Sequence, residues 1–468
     1  LAVERVGWGD SIGGRRRNKA VAGLKEEVEE ENTNISKMEE VTSVWDGVDL
    51  VTGQCPKATR KDGRHKWEKW PKDADQAGRT CVDCGAPRLG PKPFNPNSVA
   101  QVRHLLYDLL KVPEQTNKKG EVSTDKECIQ KVKKKRPKLA GLCDAILHVK
   151  DLRKQIGTLN SKLSKDGRFM YTMSIGTAWT SRWSSSKDPF GQGSNIQNIA
   201  ERHRHIFEAD YGKELFYADL KTAESMVVAY LADDKEYINA HLSGDVHTYV
   251  ARLVWPELPW TGDLKKDKEV GGILPEWDPA PGHGYRFQAK RLQHGSNYGL
   301  TAYGIARLAH IPQAAAEAAQ DAYFSAFPGI RNTYHAHVRD RVERQVALVT
   351  PFGHRITMFG RPWDAQTWRQ GLSLLPQQTV VMVLNIGLLR LWREHDPELV
   401  ELLAQVHDAG LGQFRKQDRE RAADAIVEHL TVPVPMGEHT MTIPVEVTAG
   451  RNWGYASDAN PEGQRTLR

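Results

Sequence analysis

The chain has 468 residues, 39% of them hydrophobic, which excludes a single compact core and predicts two to four lobes. Lys and Arg number 65 against 59 Asp and Glu, a mild excess that is unevenly spread along the chain. Five cysteines, an odd count, argue against a closed disulfide framework, and the longest apolar stretch, Thr379 to Trp392, is shorter than the roughly 20 residues a bilayer span needs, so it is expected as a buried core helix.

The chain opens on Leu1 without a charged-then-apolar leader pattern, so it is read as processed or as part of something longer. Arg15 to Arg17 are basic and Glu26 to Glu31 acidic; residues 18–44 carry helix formers without a strong apolar stripe, which predicts an exposed helix, one arm of a hairpin. From Gly47 to Pro93 aliphatic residues are scarce. Cys81-Val82-Asp83-Cys84 is a C-x-x-C knuckle, and Cys55 and His65 lie upstream. That Cys₃His set suits a structural, tetrahedral Zn²⁺, with Trp67 and Trp70 as a small core.

From Asn95 the pattern becomes helical. Ser98 can cap a helix through Lys111 with Val99, Val102, Leu105, Leu106, Leu109 and Leu110 on its apolar face; Ser123 to Asp125 can open a second, and a third is expected from about Pro137 to Leu163. The segment Lys131 to Lys138 (KVKKKRPK) suits phosphate backbones and a solubilising loop equally well. Past Phe169 the texture turns to strands. Phe169 to Met173 alternates, and Leu215 to Asp219 is an apolar run ending on a carboxylate. In Arg286 to Gly299 (RFQAKRLQHGSNYG), Arg286, Lys290, His294 and Tyr298 recur every four residues and share one broad helical face. The Pro281 to Gly284 turn starts that helix, so its two cations sit where free backbone N–H groups already favour anions. Leu402 to Gly410 again reads as an apolar strand, followed by His407-Asp408 and a turn glycine. Taken singly, Asp219 and Asp408 read as caps or turn residues, and the cations as a solvated face. Two carboxylates on neighbouring strands, however, would repel unless cations lay between them, as in a two-metal phosphoryl-transfer site with Mg²⁺.

Five ordered blocks carry a family resemblance: Ser181-Arg182-Trp183-Ser184-Ser185, Asn195 to Ile199, Asp219 to Glu224, Arg286 to Gly299 and Gln405 to Asp408, with Ile443 to Val447 and Gly450 to Gly454 closing the chain. In order and rough spacing these are similar to the polymerase module of family A DNA polymerases, the DNA polymerase I type, from about Asn95 to Ala456. The resemblance implies an α+β right-hand fold with an antiparallel palm sheet and a helical thumb and fingers. The divisions expected are 1–48 (N-terminal thumb segment), 49–93 (zinc-binding insertion), 94–168 (thumb), 169–232 (palm), 233–364 (fingers) and 365–468 (palm). It implies template-directed addition of deoxynucleotides to a primer 3′-hydroxyl, with Asp219 and Asp408 holding two Mg²⁺ ions. Arg286 and Lys290 would hold the triphosphate, Lys290 also assisting pyrophosphate departure; His294, Tyr298 and Glu224 would complete the nucleotide site. Arg182, Gln197, Asn198, Gln377 and His407 would meet the primer-template. Glu224, five residues after Asp219, would exclude the 2′-hydroxyl, which favours DNA over RNA synthesis.

The sequence departs from the family pattern at His294, where Phe or Tyr is usual, at Ala409, where Glu is common, and at Leu220 to Ala223. The partners expected are primer-template DNA, deoxynucleoside triphosphates and replisome proteins, with no membrane. A monomer in the cytoplasm of a bacterial or phage-infected cell is expected, from a phage-like replication system. The residues before the thumb are too few for an exonuclease domain, which would precede Leu1 if the natural protein has one. Two alternatives are a polymerase that also copies RNA templates and a catalytically inactive, zinc-containing DNA-binding protein.

Overall fold

Alternation of apolar residues after position 212 builds the sheet around which the larger part of the chain is arranged. The computed structural model describes residues 5–6, 12–43, 82–84 and 94–468, apart from 118, 177, 179, 279, 281, 310 and 395–397. The chain divides into two units, residues 14–161 and residues 1–13 with 162–468, the low end of the lobe count expected from length.

In the smaller unit, α1 (Ile12–Lys37) is less exposed than its composition suggests. Val21, Leu24, Val28 and Ile35 form a narrow buried stripe, and Arg17 donates to the Ser161 carbonyl at 3.2 Å. The Ser98-capped segment begins as α2 (Val99–Arg103), with Gln101 N–H on Ser98 Oγ, but continues over His104–Leu109 as a π-helix. The wider turn lets three consecutive residues, Leu105 to Tyr107, be buried together. Val99, expected on the apolar face, is exposed. Asp125 caps α3 (Lys126–Lys135) as expected, and α4 runs Ala140–Leu159 after a 3₁₀ turn at Pro137–Leu139. Within the basic run, Lys133 pairs with Asp144 at 2.6 Å and Lys131 and Lys135 bond neighbouring oxygens, whereas Lys134, Arg136 and Lys138 are exposed.

The larger unit holds a five-stranded antiparallel sheet made of β1 (Lys213–Leu220), β2 (Glu401–Val406), β3 (Ala409–Arg415), β4 (Val445–Gly450) and β5 (Arg465–Thr466), in the order β5-β4-β1-β3-β2. Successive side chains on a strand face opposite ways. Phe216, Ala218 and Leu220 of β1 and Val447 and Ala449 of β4 pack in one core with α5 (Ala223–Leu231), α9 (Ala365–Glu394) and α10 (Arg419–Leu430). Tyr217 and Asp219 therefore face the other side. Phe169–Met170 and Thr172–Ser174 do not join this sheet. They pair with Arg5–Val6 and Ser184–Ser186 respectively, because the run is interrupted at Tyr171, whose hydroxyl donates to the Leu403 carbonyl.

Two sequence expectations change here. The turn between β2 and β3 is His407-Asp408 alone, with His407 at φ 56°, and Gly410 is a strand residue paired with Ala218. The apolar helix α9 spans 30 residues instead of 14, long and apolar enough to cross a membrane, but 67% of its most apolar window is buried inside the protein. Next in the chain come α6 (Val246–Val254), α7 (Leu264–Gly271) and α8 (Tyr285–Asn297). A second core gathers α6, α8 and the helices that follow around Tyr237, Tyr323, Phe327 and Tyr334, while α7 rests against α6 and α8 without entering it.

Candidate active site

β1 delivers Asp219 to a position opposite Ala409 on β3 and Glu446 on β4. Asp408 immediately precedes Ala409, so the β1–β3 register places the two carboxylates at the same end of adjoining strands. Burial, then the charges of Asp408 and Glu446, push Asp219 up to about 6 against the opposing pull of Lys290 and Lys221. Asp408 is raised too, by burial first, with Arg182 acting the other way. Among the described residues no three His, Cys, Asp or Glu side chains form a closed metal cage. Mutually repelling carboxylates still suit a hard divalent cation of the Mg²⁺ kind, which uses one or two carboxylates and completes its shell with water and phosphate oxygens.

Arg182 joins this centre to Glu224. Its guanidinium lies 2.6 Å from Glu224 Oε1 and 3.1 Å from Asp408 Oδ1, and the Tyr298 hydroxyl donates to the second Glu224 oxygen. Glu224 sits in the first turn of α5, just beyond Thr222 at φ 49°, so the backbone reverses sharply between Asp219 and Glu224.

The helix α8 begins after Gly284, as its turn sequence predicts. Its four-residue repeat divides between two cavities that share Lys290. Lys290, His294 and Tyr298 line one, of ≈ 460 Å³, with Phe287, Arg291 and Arg369. Arg286 and Lys290 line another, of ≈ 530 Å³. Arg286 is not an open cation. It makes a two-pronged ion pair with Asp245, Nε to Oδ2 at 2.8 Å and NH2 to Oδ1 at 3.1 Å. Burial opposes charge on Asp245, but Arg286 and Thr248 outweigh it and hold the carboxyl below its ordinary value. Burial lowers His294 to about 4, with Lys290 adding to the effect, and lowers His247 to about 4 despite its 2.6 Å bond to Gln293. Both rings are neutral near pH 7, leaving the lysine and arginine as the cations of this face.

Of the other expected residues, His407 is exposed at the hairpin tip beside Asp408. Gln197 is turned inward, donating to the Trp183 and Gln405 carbonyls at 3.0 and 3.1 Å, which braces the Trp183 segment against β2. Asn198 is exposed and Gln377 half-buried on α9. Cys55, His65 and Cys81 lie outside the described residues; Cys84 is half-buried in a short turn. Nothing in the sequence pattern assigned a role to Asp245, His247 or Glu446. The first two follow Gly244 in a helix-cap pattern, and Glu446 alternates with the buried positions of β4, but only the tertiary pairing brings them to the site.

The family model for DNA polymerase family A matches residues 82–266 and 276–455. DNA polymerase I of Mycobacterium tuberculosis H37Rv is 27% identical over 387 residues, covering 78% of this chain and 39% of that protein. Thermostable DNA polymerase I of Thermus thermophilus is 27% identical over 391 residues, covering 79% and 43%. The chain thus spans about two fifths of the length of these relatives. The POL domain of Pol1 from M. smegmatis, in complex with DNA primer-template and dNTP, superposes with a TM-score of 0.60 at 24% identity, covering 77% of this chain and 62% of that one. The fold is the α+β polymerase fold of that domain, and by the family match the chain belongs to DNA polymerase family A.

Proposed function

We propose that this chain is a template-directed DNA polymerase that joins deoxynucleotides to a primer 3′-hydroxyl with release of pyrophosphate. The observation that carries this reading is the β1–β3 pairing, whose register sets Asp408, at the tip of the β2–β3 hairpin, beside Asp219 while the charge of Lys290 is felt at Asp219. Asp219 and Asp408 would hold two Mg²⁺ ions, which supply activation of the attacking hydroxyl and stabilisation of the leaving oxygen. Lys290 and Arg286 bind the triphosphate, and Lys290 meets the charge that grows on the departing pyrophosphate. His294 and Tyr298 flank the nucleotide, and Glu224, fixed between Arg182 and Tyr298, narrows the space beneath the sugar. His407, Arg182 and Asn198 meet the primer-template, with Gln377 on α9. Gln197 acts through the backbone it braces. In this reading residues 94–168 form the thumb, 169–232 and 365–468 the palm, and 233–364 the fingers. Cys55, His65, Cys81 and Cys84 would hold a structural zinc on the strength of their ligand types and spacing alone, for which metal analysis should find about one zinc per chain, absent after Cys84→Ser.

Primer extension with Mg²⁺ tests the central reading. The parent is expected to extend a recessed DNA primer in a template-dependent way, and Asp408→Asn to lose extension while remaining folded. Equal extension by both would refute it.

A further inference from the structure

The family match omits residues 267–275, and that gap contains the second half of α7. This helix is firmly placed. Asp263 caps it by accepting from Lys266 N–H at 2.9 Å, and the fully buried Asp267 accepts from Thr261 N–H at 2.7 Å and Gly262 N–H at 3.2 Å. Its end abuts the start of α8 so closely that a Cβ on Gly271 would lie 2.9 Å from the Arg286 Cβ, and one on Gly284 2.6 Å from the Gly271 carbonyl oxygen. Glycine at both positions permits this approach.

The consequence is that Lys268, less than one turn before Gly271, stands beside the cationic end of α8. Its ammonium lies 3.9 Å from Asp245 Oδ2, the oxygen that accepts from Arg286 Nε at 2.8 Å. The ≈ 530 Å³ cavity alongside is lined by Lys268, Arg286 and Lys290 and by the backbone of Gly271, Gly272 and Gly284. Two cations thus meet one carboxylate, and Lys290 lines the same cavity. A half-exposed ammonium at 3.9 Å adds little to stability, and among the described residues the cavity lining itself carries Lys268, Arg286 and Lys290 and no carboxylate. Building on the polymerase reading, we infer that Lys268 is a third cation of the polyphosphate subsite. It binds the terminal phosphate of the incoming triphosphate and then the pyrophosphate product, while Asp245 keeps Lys268 and Arg286 in place.

Steady-state primer extension with Lys268→Gln and Lys268→Arg tests this. Lys268→Gln should raise the KM for dNTP and the inhibition constant for pyrophosphate together, each by roughly tenfold, the effect of one charge-assisted contact. The change in kcat should be smaller, primer-template affinity should hold, and Lys268→Arg should restore the parental constants. A Lys268→Gln enzyme with parental KM and parental pyrophosphate inhibition would overturn the assignment and leave the polymerase reading standing. A parent that fails to extend primers would refute the polymerase reading instead, and calorimetric titration with inorganic triphosphate then decides the role of Lys268. Weaker binding by Lys268→Gln supports the site, and equal binding overturns it.

Discussion

Asp219 holds a proton more readily in the folded chain than in the unfolded one, because burial, Asp408 and Glu446 all oppose its charge. The folded-state value near 6 exceeds the unfolded value of 3.8, so the cost of ionising it is absent below pH 4, grows between pH 4 and 6, and is complete above 6. Its size is at most about 3 kcal/mol, since a tenfold change in proton affinity corresponds to about 1.36 kcal/mol. Asp219→Asn should therefore raise stability in EDTA at pH 7–8, with the gain vanishing towards pH 4, while extension is abolished. Thermal melts across that pH range check this, and a pH-independent gain would contradict it. Glu224→Ala should raise ribonucleotide incorporation by roughly 10- to 100-fold, the range expected when a pocket gains about a methylene or more of room; unchanged sugar discrimination would contradict it. Both acids were legible in the sequence as ends of ordered motifs. Asp245 and Glu446 were not, since nothing local marks a carboxylate that acts through a strand or helix distant in the chain.

At the level of elements, alternation and capping rules located the helices of residues 14–161, α8, part of α9 and the strands β1 and β2, and left most helices between Ala223 and Glu343 unread, where tertiary packing decides. The turn at His407-Asp408 was hidden because Ala409 and Gly410 continue the apolar pattern into β3, and only the second half of α9 stands out in the sequence because its first half is polar on one side. The β1–β3 pairing leaves no room at Gly412, where a Cβ would lie 2.4 Å from Phe216 Cε1 and 2.5 Å from the Glu401 carbonyl oxygen. Gly412→Ala should cost about 1–3 kcal/mol by overpacking and lower kcat by shifting the hairpin that carries Asp408. Denaturant unfolding and extension rates measure the two effects, and wild-type values in both would show that the hairpin adapts. Deleting residues 49–93 should shorten the product made per binding event; unchanged processivity in a folded variant would assign that segment a purely structural role.

For the whole molecule, the division into residues 14–161 and the remainder predicts two separable unfolding transitions. Mg²⁺ with a dNTP at about 100 times its dissociation constant should stabilise only the transition of the larger unit, by roughly 2.7 kcal/mol. Calorimetry with and without nucleotide distinguishes this from a single coupled transition that moves as a whole. The position of Arg182 has a consequence at this scale as well. One guanidinium is shared between Glu224 and Asp408, so on the proposed reading the carboxylate that would screen sugars and one that would hold magnesium cannot be tuned independently. A substitution at Glu224 would leave more of that positive charge to Asp408, and on the same reading the affinity for divalent cations should shift together with the tolerance of ribose.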